Sequence, residues 1–339
     1  MHDERNRVTI RDVARESGVS YQTVSRVINN SPNVAETTRQ RVLQVMHKLN
    51  YQPNKAAQML TTNRSFLLET ILVNVDLPGN LAKSTKTMVH TAKGLGYSLL
   101  VSECEVHELG ATLESATSRL VDGVVMYAPN LQVSDEALLD ICGNMPLVRR
   151  DYVPGSKVAW VGFDQVHAAR LAVDHLVGLG HCHIAEICPD LRYLNGYWRH
   201  RGWEEALAAH GLTPGPSVSG VYNMQSGYEG ALALLDSRKP FTAIVIGTDK
   251  MALGAMRALR ERGIRIPDDV SIVSMDNAEL AAYVDPPLTT VEFKFEKQDE
   301  LVVKYLVELI RDPDMQVHQR VLMPSLIVRE STREGPGLA

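Results

Sequence analysis

The first fifty residues carry short helical patterns separated by turn residues, and this spacing restricts the local fold more than any other feature of the chain. Residues 9–18 begin with Thr9, a capping residue type, and place Ile10, Val13 and Ala14 on one helical face. The pattern stops at Gly18, a residue that commonly ends helices. The sequence therefore predicts a short helix followed by a tight turn.

Two further helices are predicted after this turn. Ser20 can cap a helix over residues 21–29, and a third helix should run from about Glu36 to Leu49. The predicted inward-facing residues are Val24, Val27 and Ile28 on the second helix and Val42, Leu43, Val45, Met46 and Leu49 on the third. Two short helices around a glycine turn, closed by a third, form a helix-turn-helix unit.

The outer face of the second predicted helix is polar and carries Tyr21, Gln22, Ser25, Arg26 and Asn29. Glutamine can pair with adenine and arginine with guanine through two hydrogen bonds each, and tyrosine can contact a thymine methyl group or a phosphate. This face is therefore a candidate for reading DNA in the major groove. The alternative is a face that is only solvated.

Charge is unevenly distributed along the chain. Residues 1–64 hold ten basic side chains against five acidic ones, whereas the whole chain has a formal net charge of −5. A basic end on an acidic body is typical of a polyanion-binding unit attached to a domain that does not bind the polyanion. Charge alone also fits a solvated basic face, so the assignment depends on the helical pattern.

From Phe66 onward, apolar strand-like runs alternate with helical segments, which predicts an α/β fold with a parallel sheet. Ligands of open parallel sheets bind beyond the carboxyl ends of the strands, where Asp151, Asp164, Asp249 and Asp276 fall. The predicted strands are Thr70–Val75, Ser98–Ser102, Gly123–Tyr127, Pro146–Val148, Ala159–Phe163, Ile184–Ile187, Ala243–Ile246 and Ser271–Met275.

Several classes of protein are disfavoured by the sequence. The segment Gly94-Leu95-Gly96 lacks the third glycine of a dinucleotide loop, and there is no P-loop or nucleophile elbow, so we expect neither an enzyme nor a cofactor. No apolar run approaches the roughly 20 residues that cross a bilayer, and residues 1–11 are too polar for a signal peptide. We therefore expect a cytoplasmic protein with no membrane partner. A transport protein of similar fold would need a secretion signal.

The four cysteines are scattered and form no CxxC pair, which predicts reduced thiols rather than a disulfide framework. The segment His181-Cys182-His183 together with Cys188 is a candidate metal site. Strand-like alternation after His183 sends neighbouring side chains to opposite faces, and paired ligand spacing is missing. We therefore predict no metal site.

Residues 20–27 (SYQTVSRV) and 49–54 (LNYQPN) resemble the LacI/GalR family of transcriptional regulators. Residues 176–181, 199–203, 249–258 and 286–290 extend the similarity over nearly the whole chain. The resemblance implies a helix-turn-helix three-helix domain at 1–52, a hinge helix and linker at 53–65, and a ligand-binding and dimerisation domain at 66–330. It also implies that this last domain has two doubly wound subdomains, similar to periplasmic binding proteins, followed by a tail at 331–339.

The resemblance assigns DNA contacts to residues in three places. Tyr21, Gln22 and Arg26 are expected to read bases, with the remaining contacts near the phosphates or in the hinge. The full expected set is Thr9, Arg11, Ser20, Tyr21, Gln22, Thr23, Ser25, Arg26, Asn29, Asn54, Ala57, Gln58 and Leu60.

Leu60 resembles the leucine that family members wedge into the minor groove, where unstacking a base step kinks the duplex. A plain linker helix is the alternative. Two residues depart from one family member whose second helix is similar. Arg11 replaces a base-proximal tyrosine, and Ala35 replaces a serine cap, which should weaken the third helix by about 1 kcal/mol.

The resemblance also implies a ligand cleft between the subdomains, with strand crossings near Asp164, Asp276 and Thr289. A polyol fits the residue types, because carboxylates and a guanidinium bind hydroxyl pairs while aromatic rings cover apolar faces. The alternatives are turn-forming acids and a core aromatic at Phe163. The expected ligand-binding residues are Asn80, Asp151, Phe163, Asn195, Arg199, Tyr222, Thr248, Asp249, Asp276 and Phe293.

The cleft differs from that of the same family member at several positions. Thr248 and Phe293 replace an asparagine and a glutamine, and Arg149 and Arg150 replace apolar residues before Asp151. We therefore expect a different ligand, and the added positive charge suggests an acidic or phosphorylated sugar as one hypothesis.

The resemblance implies a repressor of a carbohydrate-utilisation operon that a sugar-type inducer releases from a palindromic DNA operator. Corepression by a purine-like molecule is the alternative. No apolar heptad repeat follows Val328, so a homodimer is expected rather than a tetramer held by a coiled coil.

Overall fold

The computed structural model describes residues 8–28, 31–52, 64–74, 81–129 and 134–336. The chain divides into two compact units, residues 1–65 and residues 66–339. Within the described ranges, no helix is both long enough and apolar enough to cross a membrane.

The first unit contains the three predicted helices, α1 (Ile10–Ser17), α2 (Tyr21–Ile28) and α3 (Glu36–Lys48). Thr9 caps α1, because its hydroxyl donates to Asp12 at 2.7 Å and the Asp12 amide bonds back to the hydroxyl. Gly18 ends α1 at φ +64°, a left-handed conformation that favours glycine. These helix predictions are confirmed.

The core of this unit follows the predicted faces with one exception. Val13, Ala14, Val24, Val27 and Val42 are buried together, and the other predicted inward residues pack against them as partly buried side chains. Leu43 is 48% exposed, so its predicted burial is wrong. On a helix, residues three, four and seven positions after Val42 share its face, whereas the next residue turns away from it.

The second unit is an α/β structure of two six-stranded sheets. Its strands are β1 (Leu67–Val73), β2 (Ser98–Cys104), β3 (Gly123–Tyr127), β4 (Leu147–Arg149), β5 (Ala159–Phe163), β6 (Ile184–Pro189), β7 (Ser217–Gly220), β8 (Ala243–Ile246), β9 (Ser271–Asp276), β10 (Thr289–Glu292), β11 (Arg320–Leu322) and β12 (Ser325–Ile327). Its helices are α4 (Leu81–Gly94), α5 (Leu109–Ser118), α6 (Asp135–Cys142), α7 (Gln165–Gly178), α8 (Leu194–Ala209), α9 (Met224–Asp236), α10 (Asp249–Glu261) and α11 (Phe295–Arg311).

Each sheet forms its own subdomain. Sheet 1 has the order β11-β5-β4-β3-β1-β2 with parallel pairs throughout, and α4 and α11 pack on one of its faces. Sheet 2 has the order β12-β10-β9-β8-β6-β7, with β12 antiparallel to β10. Helices α7 and α8 cover one face of sheet 2, and α9 and α10 cover the other. This is the predicted doubly wound arrangement.

The eight predicted strands are present, three with the predicted bounds and five with shifted ends, but four further strands were missed. β7, β11 and β12 have only three or four residues and lie at sheet edges, where side chains stay partly exposed. β10 is buried yet begins with two threonines, so it lacks the apolar run that marks an interior strand.

Three chain crossings join the subdomains within the described residues. The chain passes from sheet 1 to sheet 2 between Phe163 and Asp164, as predicted. It returns between β10 and α11, a few residues after the predicted position near Thr289, and crosses again between β11 and β12. The predicted crossing near Asp276 is wrong, because β9 and β10 are parallel neighbours within sheet 2.

The segment predicted as a tail is attached to sheet 2. The Ser331 hydroxyl donates to the Ile272 carbonyl at 2.7 Å and accepts from the Thr289 amide at 2.8 Å. The Gly335 amide donates to the Leu179 carbonyl at 2.7 Å. These bonds satisfy backbone groups beside the sheet, so the ligand domain continues to at least Gly335 instead of ending at residue 330.

Candidate DNA-reading face and binding cleft

The outer face of α2 presents three of the predicted base-reading side chains to solvent. Tyr21 is 48% exposed, and Gln22 and Arg26 are also exposed. Val24 and Val27 lie on the opposite face and are buried in the core of the unit. The core therefore fixes the orientation of α2 and leaves this face free of packing.

The predicted phosphate-contacting hydroxyls have structural roles at helix starts. The Ser20 hydroxyl accepts from the Thr23 amide at 3.1 Å and so caps α2, and it lies 2.9 Å from the Thr23 hydroxyl. Ser25 is half-buried on α2, and Arg11 is exposed on α1. Six predicted site residues lie outside the described ranges, namely Asn29, Asn54, Ala57, Gln58, Leu60 and Asn80.

Asp151 and Arg149 are buried on the sheet 1 side of the cleft. The Ala128 amide donates to Asp151 Oδ2 at 3.0 Å, and Arg149 Nη2 lies 3.8 Å from the same oxygen. Burial raises the pKa of Asp151, while Arg149 opposes that shift. Gly162 on β5 makes room for this turn, since a Cβ there would lie 2.6 Å from the Asp151 carbonyl oxygen.

Arg150 is paired in a different direction from Arg149. Its Nε donates to Asp299 at 2.6 Å, and its guanidinium lies 5.2 Å from the ring centroid of Tyr127 and 5.9 Å from that of Phe295. Both arginines therefore have carboxylate partners, since Arg149 also lies 3.8 Å from Asp135. The matched charges contradict the hypothesis that excess positive charge selects an acidic sugar.

Arg199 on α8 is the central cation on the sheet 2 side and is only 4% exposed. Its Nε donates to Gln165 at 2.8 Å, one Nη donates to the Gly247 carbonyl, and the other lies 3.5 Å from Asp276. The guanidinium also lies 4.9 Å from the ring centroid of Phe293. These contacts hold the arginine in a fixed position at the cleft.

Asp276 ends β9 in a strained conformation, with φ at +112°. Burial raises its pKa to about 7, Arg199 opposes the shift, and the nearby Asp249 carboxylate adds to it. Asn277 follows at φ +48° and is held by its side-chain bonds to Glu292 at 3.1 Å and to Arg329 at 2.7 Å.

Asp249 and Thr248 both make hydrogen bonds within their own subdomain. Asp249 accepts from the Ser274 hydroxyl at 2.5 Å, the Thr290 hydroxyl at 2.7 Å and the Ala278 amide at 2.6 Å. The Thr248 hydroxyl accepts from the Met251 amide and caps α10, and it can still donate its own proton. Asp249 therefore fixes the loop that follows Asp276, and the ligand contacts of both residues stay predictions.

Aromatic rings cover two sides of the cleft. Phe163 and Phe293 are buried at the subdomain crossings, with ring centroids 5.2 Å apart, and Phe295 lies 5.8 Å from Phe163. Tyr222 packs edge-on against Tyr193 at 5.6 Å. Asn195, the second residue of α8, is half-buried and lies two positions after Tyr193 in the sequence. Its side chain makes no hydrogen bond among the described residues.

Four buried polar atoms of the cleft lack a hydrogen-bond partner among the described residues. They are Asp151 Oδ1, Arg149 Nε, the Tyr222 hydroxyl and Asp299 Oδ2. Burial of unpaired polar groups is unfavourable, so such atoms commonly receive a ligand or water. The cleft therefore offers hydrogen-bonding capacity on both sides together with apolar ring faces.

Comparisons with known proteins identify both units. Residues 9–54 match the model for bacterial regulatory proteins of the lacI family, and residues 173–332 match the periplasmic binding protein-like domain. The chain is 32% identical over 334 residues to the lactose operon repressor of Escherichia coli (strain K12), covering 97% of this chain and 91% of that protein. The chain belongs to the LacI family.

Two further matches cover the LacI-family chain almost completely. It is 31% identical over 335 residues to the HTH-type transcriptional repressor PurR of Haemophilus influenzae (strain ATCC 51907 / DSM 11121 / KW20 / Rd), covering 96% of this chain and 98% of that protein. A crystal structure of the lac repressor dimer bound to operator and the anti-inducer ONPF aligns with a TM-score of 0.82, 31% identity, and coverage of 96% and 99%. The chain is thus a DNA-binding transcriptional repressor and not an enzyme.

The structure also brings residues to the repressor's cleft that sequence reasoning did not include in the site. Tyr127 ends β3, and its buried hydroxyl has a pKa raised to about 12 by burial and by Asp151. Gln165, Phe295 and Asp299 hold Arg199, Phe163 and Arg150 respectively. Tyr127 could have been found from its place at the carboxyl end of a strand. The other three are separated from their partners by long stretches of sequence.

Proposed function

We propose that this repressor binds a palindromic DNA operator as a homodimer, with one α2 in each major-groove half-site. Tyr21, Gln22 and Arg26 contact base edges, because they are exposed on one face and carry the donors and acceptors that bases match. The hinge segment 53–65 places Leu60 at the operator centre in this proposal. The lac repressor dimer bound to operator supports the arrangement by similarity.

The cleft binds a neutral sugar-type effector in this proposal, and binding releases the operator of a carbohydrate-utilisation operon. One observation carries the effector class: the cleft's charges are paired, yet Asp151 Oδ1 and the Tyr222 hydroxyl are buried without partners beside aromatic rings. A pyranose can offer hydroxyls to both atoms and its apolar face to a ring. A ligand with a net charge would leave that charge unmatched.

Fluorescence anisotropy tests this proposal with operator DNA selected from a random-sequence pool by the wild-type chain. Neutral mono- and disaccharides, sugar phosphates and nucleobases are titrated into the complex at fixed salt, since DNA affinity depends strongly on salt. Release by a neutral sugar and not by its phosphate is expected. Release by sugar phosphates alone would contradict the proposed effector class.

Tyr222→Phe sharpens the test, because it keeps the aromatic ring and removes the hydroxyl. We expect the effector to bind about 2- to 10-fold more weakly, the loss of one hydrogen bond. The half-buried Tyr228, whose hydroxyl donates to Glu261 at 2.6 Å outside the cleft, gives the matched control Tyr228→Phe, which should leave effector affinity unchanged. Equal effects of both variants would argue against this use of Tyr222.

A purine-like corepressor is the second candidate. The planar Arg199 guanidinium over Phe293 and the Tyr193–Tyr222 pair could enclose a flat base, and the PurR relative supports the option by similarity. In the same titration, tighter operator binding with nucleobases and no response to sugars would favour this candidate.

A further inference from the structure

A cluster of three metal-ligating side chains lies on sheet 2, apart from the cleft contacts described above. Glu186 and Cys188 are two positions apart on β6, so their side chains project to the same face of the sheet. Helix α8 crosses that face and contributes His200. One ligand atom from each of the three residues lies within 4.8 Å of the other two.

The donor set and its spacing match those of zinc sites. Zinc binds thiolate sulfur, imidazole nitrogen and carboxylate oxygen at about 2.3, 2.0 and 2.1 Å, which places tetrahedral ligands about 3.4–3.6 Å apart. His200 Nδ1 now donates to Glu186 Oε2 at 2.6 Å, so these two atoms need to separate slightly. Atoms as far apart as the 4.8 Å limit need to approach by about 1.2–1.4 Å at most, a side-chain adjustment.

The surroundings already support the two harder ligands. The Ser217 hydroxyl donates to Glu186 Oε2 at 2.7 Å and holds that carboxylate in place. His200 Nε2 lies 3.7 Å from Glu204, the position in which an outer carboxylate orients a metal-bound imidazole. The His200 ring also stacks on Trp203, with centroids 5.8 Å apart and planes inclined by 25°.

An ion can reach the cluster from solvent. Glu186 and Cys188 are buried, whereas His200 is 24% exposed and Glu204 is 53% exposed at the outer surface of α8. A thiolate among the ligands disfavours magnesium and calcium, which prefer oxygen atoms. The cluster thus combines a buried soft donor, two fixed harder donors and an open side, as a three-ligand zinc site does.

We propose that Glu186, Cys188 and His200 bind one zinc ion, with a water molecule as the fourth ligand. Binding releases the Cys188 thiol proton, and His200 coordinates through Nδ1 as a neutral ring with its one proton on Nε2, facing Glu204. An imidazolium ring releases its Nδ1 proton to reach this state, whereas a neutral ring moves its Nδ1 proton to Nε2. The ion fastens α8 to β6 directly beside Arg199. This inference departs from the prediction of no metal site, because sequence spacing had grouped Cys188 with His181 and His183.

His181 takes no part in the site, since its ring nitrogens contact Thr242 at 2.8 Å and Ser271 at 3.1 Å. Cys182 is also separate, with its thiol 3.8 Å from the Gly180 carbonyl. These contacts provide a matched control: Cys182→Ser removes a thiol from the same subdomain and leaves the cluster intact.

The test titrates zinc into the full chain, reduced and freed of metal by a chelator, against a chromophoric competitor. We expect one zinc per chain in the wild type and in Cys182→Ser. Cys188→Ser and His200→Gln should bind more than about 100-fold more weakly, since even outer-sphere changes cost about 10- to 100-fold. Equal zinc affinity in all four chains, or no stoichiometric binding by the wild type, would overturn the proposal.

A cobalt spectrum keeps the proposal testable if the cluster variants fail to fold. In the Cys182→Ser chain, Cys104 and Cys142 are buried in the core of sheet 1, so Cys188 is the thiol available in sheet 2. Cobalt should give the charge-transfer absorption of a thiolate ligand, and one equivalent of zinc should remove it. Absence of that band would refute coordination by Cys188.

Discussion

The reading face on α2 and the cleft of the second unit both present polar side chains, but they hold them in different ways. Tyr21, Gln22 and Arg26 are exposed, and no hydrogen bond of their side chains is recorded within the described residues. In the cleft, Arg199 and Arg150 are buried and paired with groups of their own chain. A face of the first kind contributes to binding alone, whereas a cleft of the second kind contributes to stability as well.

This difference follows from desolvation. An exposed arginine loses its hydration only when DNA binds, so the free protein has no desolvation free energy to offset. A buried arginine has already lost its water, and its hydrogen bonds must compensate within the free protein. Substitutions should therefore separate binding from stability on α2 and combine them in the cleft.

Arg199→Met is expected to have the largest effect. It removes the bonds to Gln165 and Gly247 and leaves Asp276 without its cation, which should lower the free energy of unfolding by about 3–5 kcal/mol. The matched control is Arg201→Met on the same helix, where an exposed ion pair with Glu205 should contribute under about 1 kcal/mol. Urea unfolding measures both, and similar losses would break the comparison from the cleft side.

Substitutions on the reading face should give the next largest effect, in binding only. Gln22→Ala and Arg26→Ala should each weaken binding to the selected operator by about 1–3 kcal/mol and leave the melting temperature unchanged. Arg15→Ala is the charge-matched control, because Asp12 already binds Arg15 at 2.6 Å. Anisotropy with operator and scrambled DNA decides the matter. Equal loss on both DNAs would reduce Arg26 to a phosphate contact.

Asp276 should make stability depend on pH. In the folded chain the Asp276 carboxyl has a pKa of about 7, whereas in the unfolded chain its pKa is about 4. Between these values the folded state holds a proton that the unfolded state has released, so the free energy of unfolding falls as pH rises. Between pH 5 and 8, the wild type should therefore lose stability relative to Asp276→Asn, on the order of 1–2 kcal/mol.

Urea unfolding at several pH values measures this difference. Asp140→Asn, on the exposed side of α6, provides a carboxylate-to-amide control. A constant difference between wild type and Asp276→Asn from pH 5 to pH 8 would show that Asp276 is as well solvated as an exposed carboxylate, which would weaken the contrast between the two regions.

The same contrast explains how much could be predicted from the sequence. The helices of the first unit depend on neighbours within a few residues, such as Thr9 with Asp12 and the glycine at position 18. Periodicity alone therefore located them, and it failed only at Leu43, which borders the buried face. The parallel strands were also recognisable, because their buried runs are continuous and apolar.

The cleft could be predicted only in part, because partners there are distant in sequence. Asp249 and Asp276 both follow strands and resemble each other as candidates. Asp249 accepts hydrogen bonds from the Ser274 and Thr290 hydroxyls within sheet 2. Asp276 instead lies at the cleft, 3.5 Å from Arg199. No local pattern distinguishes these roles. Similarly, Arg150 pairs with Asp299 across almost half of the chain, and this pairing balances the positive charge that had suggested an acidic ligand.

The smallest effect concerns the start of α3 and tests how local the first unit is. Ala35 makes no side-chain hydrogen bond there, so the first amides of α3 lack a capping partner from position 35. Ala35→Ser should supply one and stabilise α3 by about 1 kcal/mol, which slows hydrogen exchange of its protected amides about fivefold. Ala35→Val, which cannot cap, is the control and should give no gain.

If serine stabilises α3 as expected, a single local hydroxyl that can be predicted from the sequence is enough to change the stability of this unit. If it does not, contacts beyond the local chain also hold α3, and the contrast with the cleft becomes one of degree.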